Sequence, residues 1–313
     1  MKKKSKQQKI IQLTAAGILT LTTCSVPLYS NPIIALADES SAINGNTISR
    51  ENFLKNFTQL GSALNNYEVN TGIQKMTTGS QQAGVVTFNN NIDLQQAFHL
   101  DIDINVGTAP AADGIGIAFY SGEKQQIGGS AGNLGIYGIP NAFGWKIDTW
   151  QNNESMKSNP FQNSNDLKGE NDNGKQVPYG AFVTTNASGI GKIDASSYQK
   201  IADGILDSQY HKLSINYDGN MGLTVELNYN GTIYHFSKNL NGIVDQNSEL
   251  HFNISSSTGG YPTNHSIKFN SMTYLSIADK PVINNAKDSD TSVTGTGTPG
   301  NSVTVYDASG KKL

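Results

Sequence analysis

The sequence predicts an all-β protein, an antiparallel β-sandwich of the jelly-roll kind, and three observations carry that prediction. Along residues 98–106 every even position is apolar and every odd one polar, the pattern of a strand with one face in a core and the other in water. The same alternation recurs in residues 213–217 and 223–229, joined through Asp218-Gly219, and Asn230-Gly231 sets a tight turn into residues 232–236. Such dipeptides supply the backbone conformation that two-residue hairpins require. No long helical periodicity separates these strands, so the helical crossovers of a parallel sheet are missing and antiparallel sheets packed face to face are the natural result.

From the start of the chain, Lys2, Lys3, Lys4, Lys6 and Lys9 precede a mostly apolar run over residues 10–21, and Ala35-Leu36-Ala37 offers a small-x-small cleavage site. Residues 1–37 therefore read as a secretory signal peptide. The single cysteine, Cys24, lies inside it; lipid attachment there is the alternative, with Thr23 a poor neighbour for it. The mature chain then has neither disulfides nor a thiol nucleophile, and no other apolar segment is long enough for a transmembrane helix. Five of the 22 basic residues and none of the 25 acidic ones lie in the signal, leaving 17 against 25 and a net charge of −8. Nothing supplies the basic footprint that nucleic acid demands.

Residues 38 to about 48 read as an irregular lead. Phe53, Leu54, Phe57, Leu60 and Leu64 are loosely spaced as on a helix, which predicts a helical turn followed by irregular chain. The strands begin near Val85, and residues 250–254 and 267–274 add two more. The main domain is expected over 38–278, and its size suits a jelly roll with long loops at one end. Lys280-Pro281 marks a boundary; residues 279–313 then read as a linker and an incomplete small β-sandwich repeat, with Val/Thr/Tyr strands between Gly/Pro turns. Gly295-Thr296-Gly297-Thr298-Pro299-Gly300 matches G-x-G-x-x-G by accident, since no strand, turn and helix unit surrounds it.

The stretch Gly144-Trp145-Lys146-Ile147-Asp148-Thr149-Trp150-Gln151-Asn152 carries the chemistry. Asp148, the carbonyl of Trp150 and the amide oxygen of Asn152 fall at i, i+2 and i+4 where an apolar strand gives way to a polar loop. Three hard oxygens converging in a loop suit calcium, although an Asp and an Asn closing an ordinary turn give the same pattern.

Four motifs occur in one order: Ala112-Asp113-Gly114-Ile115-Gly116-Ile117-Ala118-Phe119; Gly129-Ser130-Ala131-Gly132-Asn133-Leu134-Gly135; Lys146-Ile147-Asp148-Thr149-Trp150-Gln151-Asn152; and Ser257-Thr258-Gly259-Gly260-Tyr261 with His265. In that order, and with Gly180-Ala181-Phe182-Val183-Thr184-Thr185 added, the chain resembles the legume-type (L-type) lectins, and most of all the lectin modules of Gram-positive surface adhesins. The C-terminal segment is similar to the bacterial Ig-like repeats that form stalks on such proteins. The resemblance implies a concanavalin-like sandwich, and it assigns residues. Asp113 matches the sugar-binding aspartate that follows a cis peptide, a carboxylate that accepts from two sugar hydroxyls; an Asp-Gly turn is its alternative. Gly132 matches a glycine whose amide donates to the sugar. Trp150 gives its carbonyl to calcium and its ring to the pyranose, whereas Trp145 reads as core. Asn152 joins metal to ligand, and Gly260 and Tyr261 fall in the loop that tunes which sugar fits. The calcium ligands implied are Asp148, Trp150, Asn152 and Asp166, with Asp172 the other candidate for the last place. Plant members hold a second, transition metal through a glutamate and a histidine. Here Lys146 stands in the glutamate's position and Tyr179-Gly180-Ala181 where the histidine is expected, so calcium alone is predicted, with a Lys146–Asp148 salt bridge filling part of the lost site.

These assignments imply a calcium-dependent carbohydrate-binding module of a secreted or cell-wall-attached bacterial adhesin, with glycans or glycoproteins as partners. Two alternatives stand beside it. A glycoside hydrolase of the same fold needs two carboxyl groups flanking the bond, and the laminarinase-like E-x-D-x-x-E reads Lys146 to Gln151 here, with both glutamates missing. A protein-binding tip would keep the fold without sugar affinity. The five histidines show no metal-binding spacing, and no G-x-S-x-G elbow occurs.

Overall fold

The alternation in the sequence translates directly into layers. The computed structural model describes residues 43–151 and 175–277, with short backbone strands at Ile11–Gln12, Ile18–Thr20, Ile34–Ala37, Val282–Ile283, Thr294–Thr296 and Ser302–Tyr306. The chain divides into two compact units, residues 47–274 and residues 1–46 with 275–313. In the second of these, 11–12 and 34–37 pair with 302–306, and 18–20 and 282–283 pair with 294–296, all antiparallel.

From Ile43 the chain runs through β1 (Ile43–Ser49), a 3-10 turn and the single-turn α1 (Phe53–Asn56), then β2 (Phe57–Gly61), β3 (Tyr67–Glu68), β4 (Ile73–Thr77), β5 (Ala83–Phe88), β6 (Ile92–Asp93) and β7 (Phe98–Asn105). It continues through β8 (Gly114–Tyr120), β9 (Phe143–Gln151), β10 (Lys175–Thr185), β11 (Gly191–Ile193), β12 (Gln199–Lys200), β13 (His211–Tyr217), β14 (Gly222–Tyr229), β15 (Thr232–Asn239), β16 (Glu249–Ser257) and β17 (His265–Ile277). One sheet runs β15-β14-β13-β7-β17-β4-β3, with β1 also on β17; the other runs β11-β10-β9-β8-β16-β5-β2, with β12 on β10 and β6 on β16. The protein is thus all-β, two antiparallel sheets packed face to face as a jelly-roll sandwich.

β7 obeys its pattern residue by residue: Phe98, Leu100, Ile102 and Ile104 are buried, and the residues between them are half-buried. They meet Ile115, Ile117, Phe119, Trp145 and Ile254 from the facing sheet in one core. The hairpin from β14 to β15 turns at Asn230 (φ 50°) and Gly231 (φ 84°), the two positive φ values for which Asn-Gly is suited. β8 departs from simple alternation, because all seven of its residues are buried. Its second face lies under the 134–142 segment, where Ala118 and Tyr120 join Ile136, Tyr137 and Ile139 in a separate cluster.

The expectation for residues 50–64 is corrected in its second half. The helical turn is present, but residues 57–61 form a strand paired with β5 from Phe57↔Phe88 to Gly61↔Gly84. Phe53 and Phe57 stack at 4.8 Å and both bury their rings, so one turn of helix and an adjoining strand serve one core. Such pairing across distant sequence overrides local spacing.

His265, at the start of β17, is fully buried. Its Nδ1 meets Ser256 Oγ at 2.9 Å and Thr77 Oγ1 at 3.1 Å, and Nε2 has no partner among the described residues. Burial pushes its pKa down to about 3, against about 6.5 in the unfolded chain. The fold therefore holds a neutral imidazole, and the stability this contributes is complete above pH ~6.5 and lost as pH falls toward 3. Replacing His265→Gln removes that proton uptake. Chemical denaturation of both proteins at pH 7 and pH 5 is expected to show wild type losing about 2 kcal/mol more than the variant over that interval; parallel losses would contradict the assignment.

Candidate functional site

Three strand ends meet where the sequence placed its chemistry. Register sets Gly114 at the start of β8 opposite both Asp148 of β9 and Ser257 of β16, so Asp113, Asp148 and the 258–261 loop leave the sheet together. A Cβ on Gly114, whose φ is 143°, would sit 2.1 Å from the Ile147 carbonyl, so only glycine permits this approach. The Ala112–Asp113 peptide is cis, as the resemblance implied. The Asp113 amide donates to Ser257 O at 3.0 Å, and its carbonyl accepts from Thr149 N at 2.7 Å and Thr149 Oγ1 at 3.1 Å. The register slips between Asp148 and Trp150, a bulge of the kind that re-aims side chains beside functional sites.

Asp113 is 3 % exposed, and its Oδ2 has no hydrogen-bond partner among the described residues. Burial first, and then the Asp148 charge, raise its pKa to about 7; the Gly259 amide and Lys146 pull it back without furnishing Oδ2 a bond. A Cβ built on Gly259 would lie 3.2 Å from Asp113 Oδ2 and 3.3 Å from Ala131 Cβ, which brings the loop carrying Gly132 to the same place. Ser257 Oγ fastens that loop through Ala131 O at 2.5 Å. On the other flank Trp150 and Tyr261 stack with centroids 4.7 Å apart and a 39° tilt, Tyr261 being 41 % exposed. Gly260 is exposed, with open space around it. The loop that runs through Gly259 to Tyr261 thus touches Asp113, the Ala131 neighbour of Gly132 and, through Tyr261, the Trp150 ring. Asn152, Asp166 and Asp172 lie outside the described residues.

Asp148 lies on the neighbouring strand, directly opposite Gly114. It is buried, and Lys146, two residues back on the same face of β9, donates to its Oδ2 at 3.0 Å. The Tyr179 hydroxyl donates to the same oxygen at 3.0 Å, and the Trp150 amide to Oδ1 at 3.0 Å. Burial pushes the Asp148 carboxyl up, and Lys146, the Trp150 amide and Tyr179 oppose it. The Lys146 ammonium also lies 5.3 Å from the centroids of both Tyr137 and Tyr179, so ring faces replace part of its water shell. The expected salt bridge is present. Tyr179 and Thr149 were not assigned these roles from the sequence; Tyr179 sits directly across from Asp148 in β10, a non-local pairing that local spacing does not reveal.

Two carboxylates against one ammonium give this buried cluster a net charge of −1 if all are ionised, with one acidic oxygen unpartnered. Asp148 Oδ1 also keeps acceptor capacity beyond its one amide bond. No cluster of three metal-ligating side chains occurs among the described residues. The donor chemistry that is described, carboxylate and carbonyl oxygens without thiol or imidazole, fits a hard divalent cation.

The domain model of the legume lectin β-barrel matches residues 48–271. Curated relatives include the serine-rich adhesin for platelets of Staphylococcus aureus: strain MRSA252 is 29% identical over 259 residues, covering 78% of this chain and 18% of that protein. For strain USA300 the figures are 28% over 292 residues, 86% and 12%. The chain thus spans less than a fifth of the length of these relatives. Among solved structures, the metal-free form of lectin I-B4 from Griffonia simplicifolia aligns with a TM-score of 0.53 at 15% identity, over 74% of this chain and all of that one. The basic winged bean lectin with Tn-antigen also aligns at 0.53, with 16% identity over 75% of this chain and 99% of that one.

Removing one member of the buried pair isolates its contribution. Lys146→Met is expected to cost roughly 3–5 kcal/mol, because Asp148 is left as an uncompensated buried charge. The double variant Lys146→Met/Asp148→Leu should recover much of that loss. Urea denaturation of the two single variants and the double variant closes the cycle; additive losses would show that the pair is not coupled.

Proposed function

The chain belongs to the legume L-type lectin family, and from that premise we propose that it is a calcium-dependent carbohydrate-binding module of a bacterial surface adhesin. The observation that carries this reading is Asp113: a buried carboxylate with an unpartnered oxygen, against a loop whose Gly259 approaches that oxygen and whose Tyr261 packs on Trp150. A sugar supplies what both lack. Two vicinal hydroxyls donate to one carboxylate in charge-assisted bonds, while the apolar C–H face of the ring packs on Trp150 and Tyr261. In this reading the Gly132 amide adds a donor and the open space at Gly260 admits the bulk of the glycan.

Calcium is the cation we assign to the site, held by Asp148 and the Trp150 carbonyl, with Asn152 and Asp166 as the further ligands. When bound it supplies positive charge that relieves the repulsion between Asp113 and Asp148. The residues themselves do the remaining work: Lys146 and Tyr179 fix the Asp148 carboxylate from behind, Thr149 ties the Asp113 main chain to β9, and Gly259 closes against the Asp113 carboxylate. A binding role without catalysis fits the same residues. The partners of the hydrolase aspartate are Lys146 and Gln151 here, and an ammonium locked on Asp148 does not act as a general acid–base pair across a glycosidic bond.

In the same reading residues 1–37 direct export, 38–278 form the lectin domain, and 279–313 belong to a linker and small β-repeat that place the domain at a cell surface. Glycans or glycoproteins of neighbouring cells are the partners. A shallow single site binds free sugar weakly, and many copies on one surface supply avidity.

A glycan array probed with wild type, with chelator and with two variants tests the proposal. Asp113→Ala is expected to lose binding by at least about 100-fold, the loss of two hydrogen bonds to a charged acceptor. Its folded-state pKa lies above the unfolded value, so ionised Asp113 opposes folding at and above pH 7. The melting temperature of metal-free Asp113→Ala should therefore hold or rise. Asp148→Ala should lose calcium, stability and glycan signal together. Glycan binding that survives in chelator removes calcium from the account, and adhesion that survives in Asp113→Ala favours a protein ligand.

A further inference from the structure

At the other end of β9 from Asp148, the edges of the two sheets leave a cleft of about 450 Å³, within the range of small-molecule sites of roughly 300–1,000 Å³. Phe143 and Phe182, both buried, line it from the β9–β10 side, and Leu240 and Ile243 from the chain after β15. Its polar lining is unbalanced in charge. Lys238 of β15 reaches across to Asp194, which follows β11, with Nζ 2.5 Å from Oδ2. The same carboxylate accepts from the Ser196 amide at 3.1 Å and the Ser196 hydroxyl at 2.6 Å through Oδ1. Asp194 is thereby committed to partners already in place. Lys192, also lining the cleft, has no acidic partner among the described residues.

We propose that this cleft is a second binding site, separate from the saccharide site, and that it takes a single-chain amphipathic carboxylate of the fatty-acid type. The apolar lining receives the alkyl body, and the carboxylate pairs with the Lys192 ammonium beside the Lys238–Asp194 bridge. Charge complementarity selects this occupant over a neutral or cationic one: two ammonium groups face one carboxylate, so an anion balances the lining and a cation worsens it. The site also stands well clear of Asp113 and Asp148. Phe143 and Asp148 are five residues apart on one strand, about 16 Å at the usual rise of ~3.3 Å per residue.

Calorimetric titration of decanoate into the full chain tests the assignment, with decyltrimethylammonium as the cationic control. Decanoate is expected to bind one site at least tenfold more tightly than the cation. Lys192→Glu should weaken decanoate at least tenfold, Lys192→Arg should retain it within threefold, and Ala195→Trp, at an exposed lining position, should block it. Glycan-array binding should be unchanged in all three variants, which keeps this site's failure distinct from that of the saccharide site. The proposal is overturned by undetectable decanoate binding, by equal binding of the cation, or by wild-type affinity in both Lys192→Glu and Ala195→Trp.

Discussion

One constraint organises the functional end of this molecule: Asp148 is a carboxylate out of reach of bulk water, and the chain must supply everything that keeps it there. Lys146, Tyr179 and the Trp150 amide do so at 3.0 Å each. The ammonium in turn is desolvated, and it is made tolerable by the ring faces of Tyr137 and Tyr179. A buried ion pair is weak evidence for stability in itself, since desolvation offsets much of the Coulomb gain. Its value here is positional. With one oxygen of Asp148 held by Lys146 and Tyr179 and the other by the Trp150 amide, the carboxylate is fixed in place, and its charge acting on Asp113 leaves the pair of carboxylates short of positive charge.

The sandwich makes that positioning inexpensive. β8, β9 and β16 are neighbours in one sheet, so the three segments that form the site start from adjacent, hydrogen-bonded strand ends rather than from long loops. The core beneath them is continuous, and the second cluster under the 134–142 segment buries the other face of β8. Loops carried on such a scaffold lose little freedom when a ligand arrives. The same sheets, where their far edges part, leave the cleft between Phe143, Phe182 and Leu240, so a single scaffold carries a buried acidic cluster toward one end of β9 and a basic, apolar-lined cleft toward the other.

Much of this was legible in the sequence, for identifiable reasons. Alternation at 98–106 and the turn at Asn230-Gly231 are local signals, and both became the elements they predicted. Lys146 and Asp148 lie two residues apart in a strand, which alone puts them on one face. The strand at 57–61 was not legible, because its identity depends on β5, more than twenty residues later in the chain. In the sequence Tyr179 stands only in a histidine's place; its role as a donor to Asp148 follows from the register of β9 with β10. Trp150 and Tyr261 were each assigned to the site, but their stacking on one another depends on a loop closure that spacing does not encode. The remaining members of the predicted cation site, Asn152 and Asp166, fall outside the described residues.

In the reading proposed above, one divalent ion completes the charge deficit around Asp113 and Asp148, and Lys146 does the work of a second. Anomalous diffraction from a crystal grown with calcium tests it directly. A single peak is expected at about 2.3–2.6 Å from an Asp148 carboxylate oxygen, with the Lys146 ammonium still bonded to the other oxygen. A site without a peak, or a metal ion in place of the Lys146 ammonium, would contradict it.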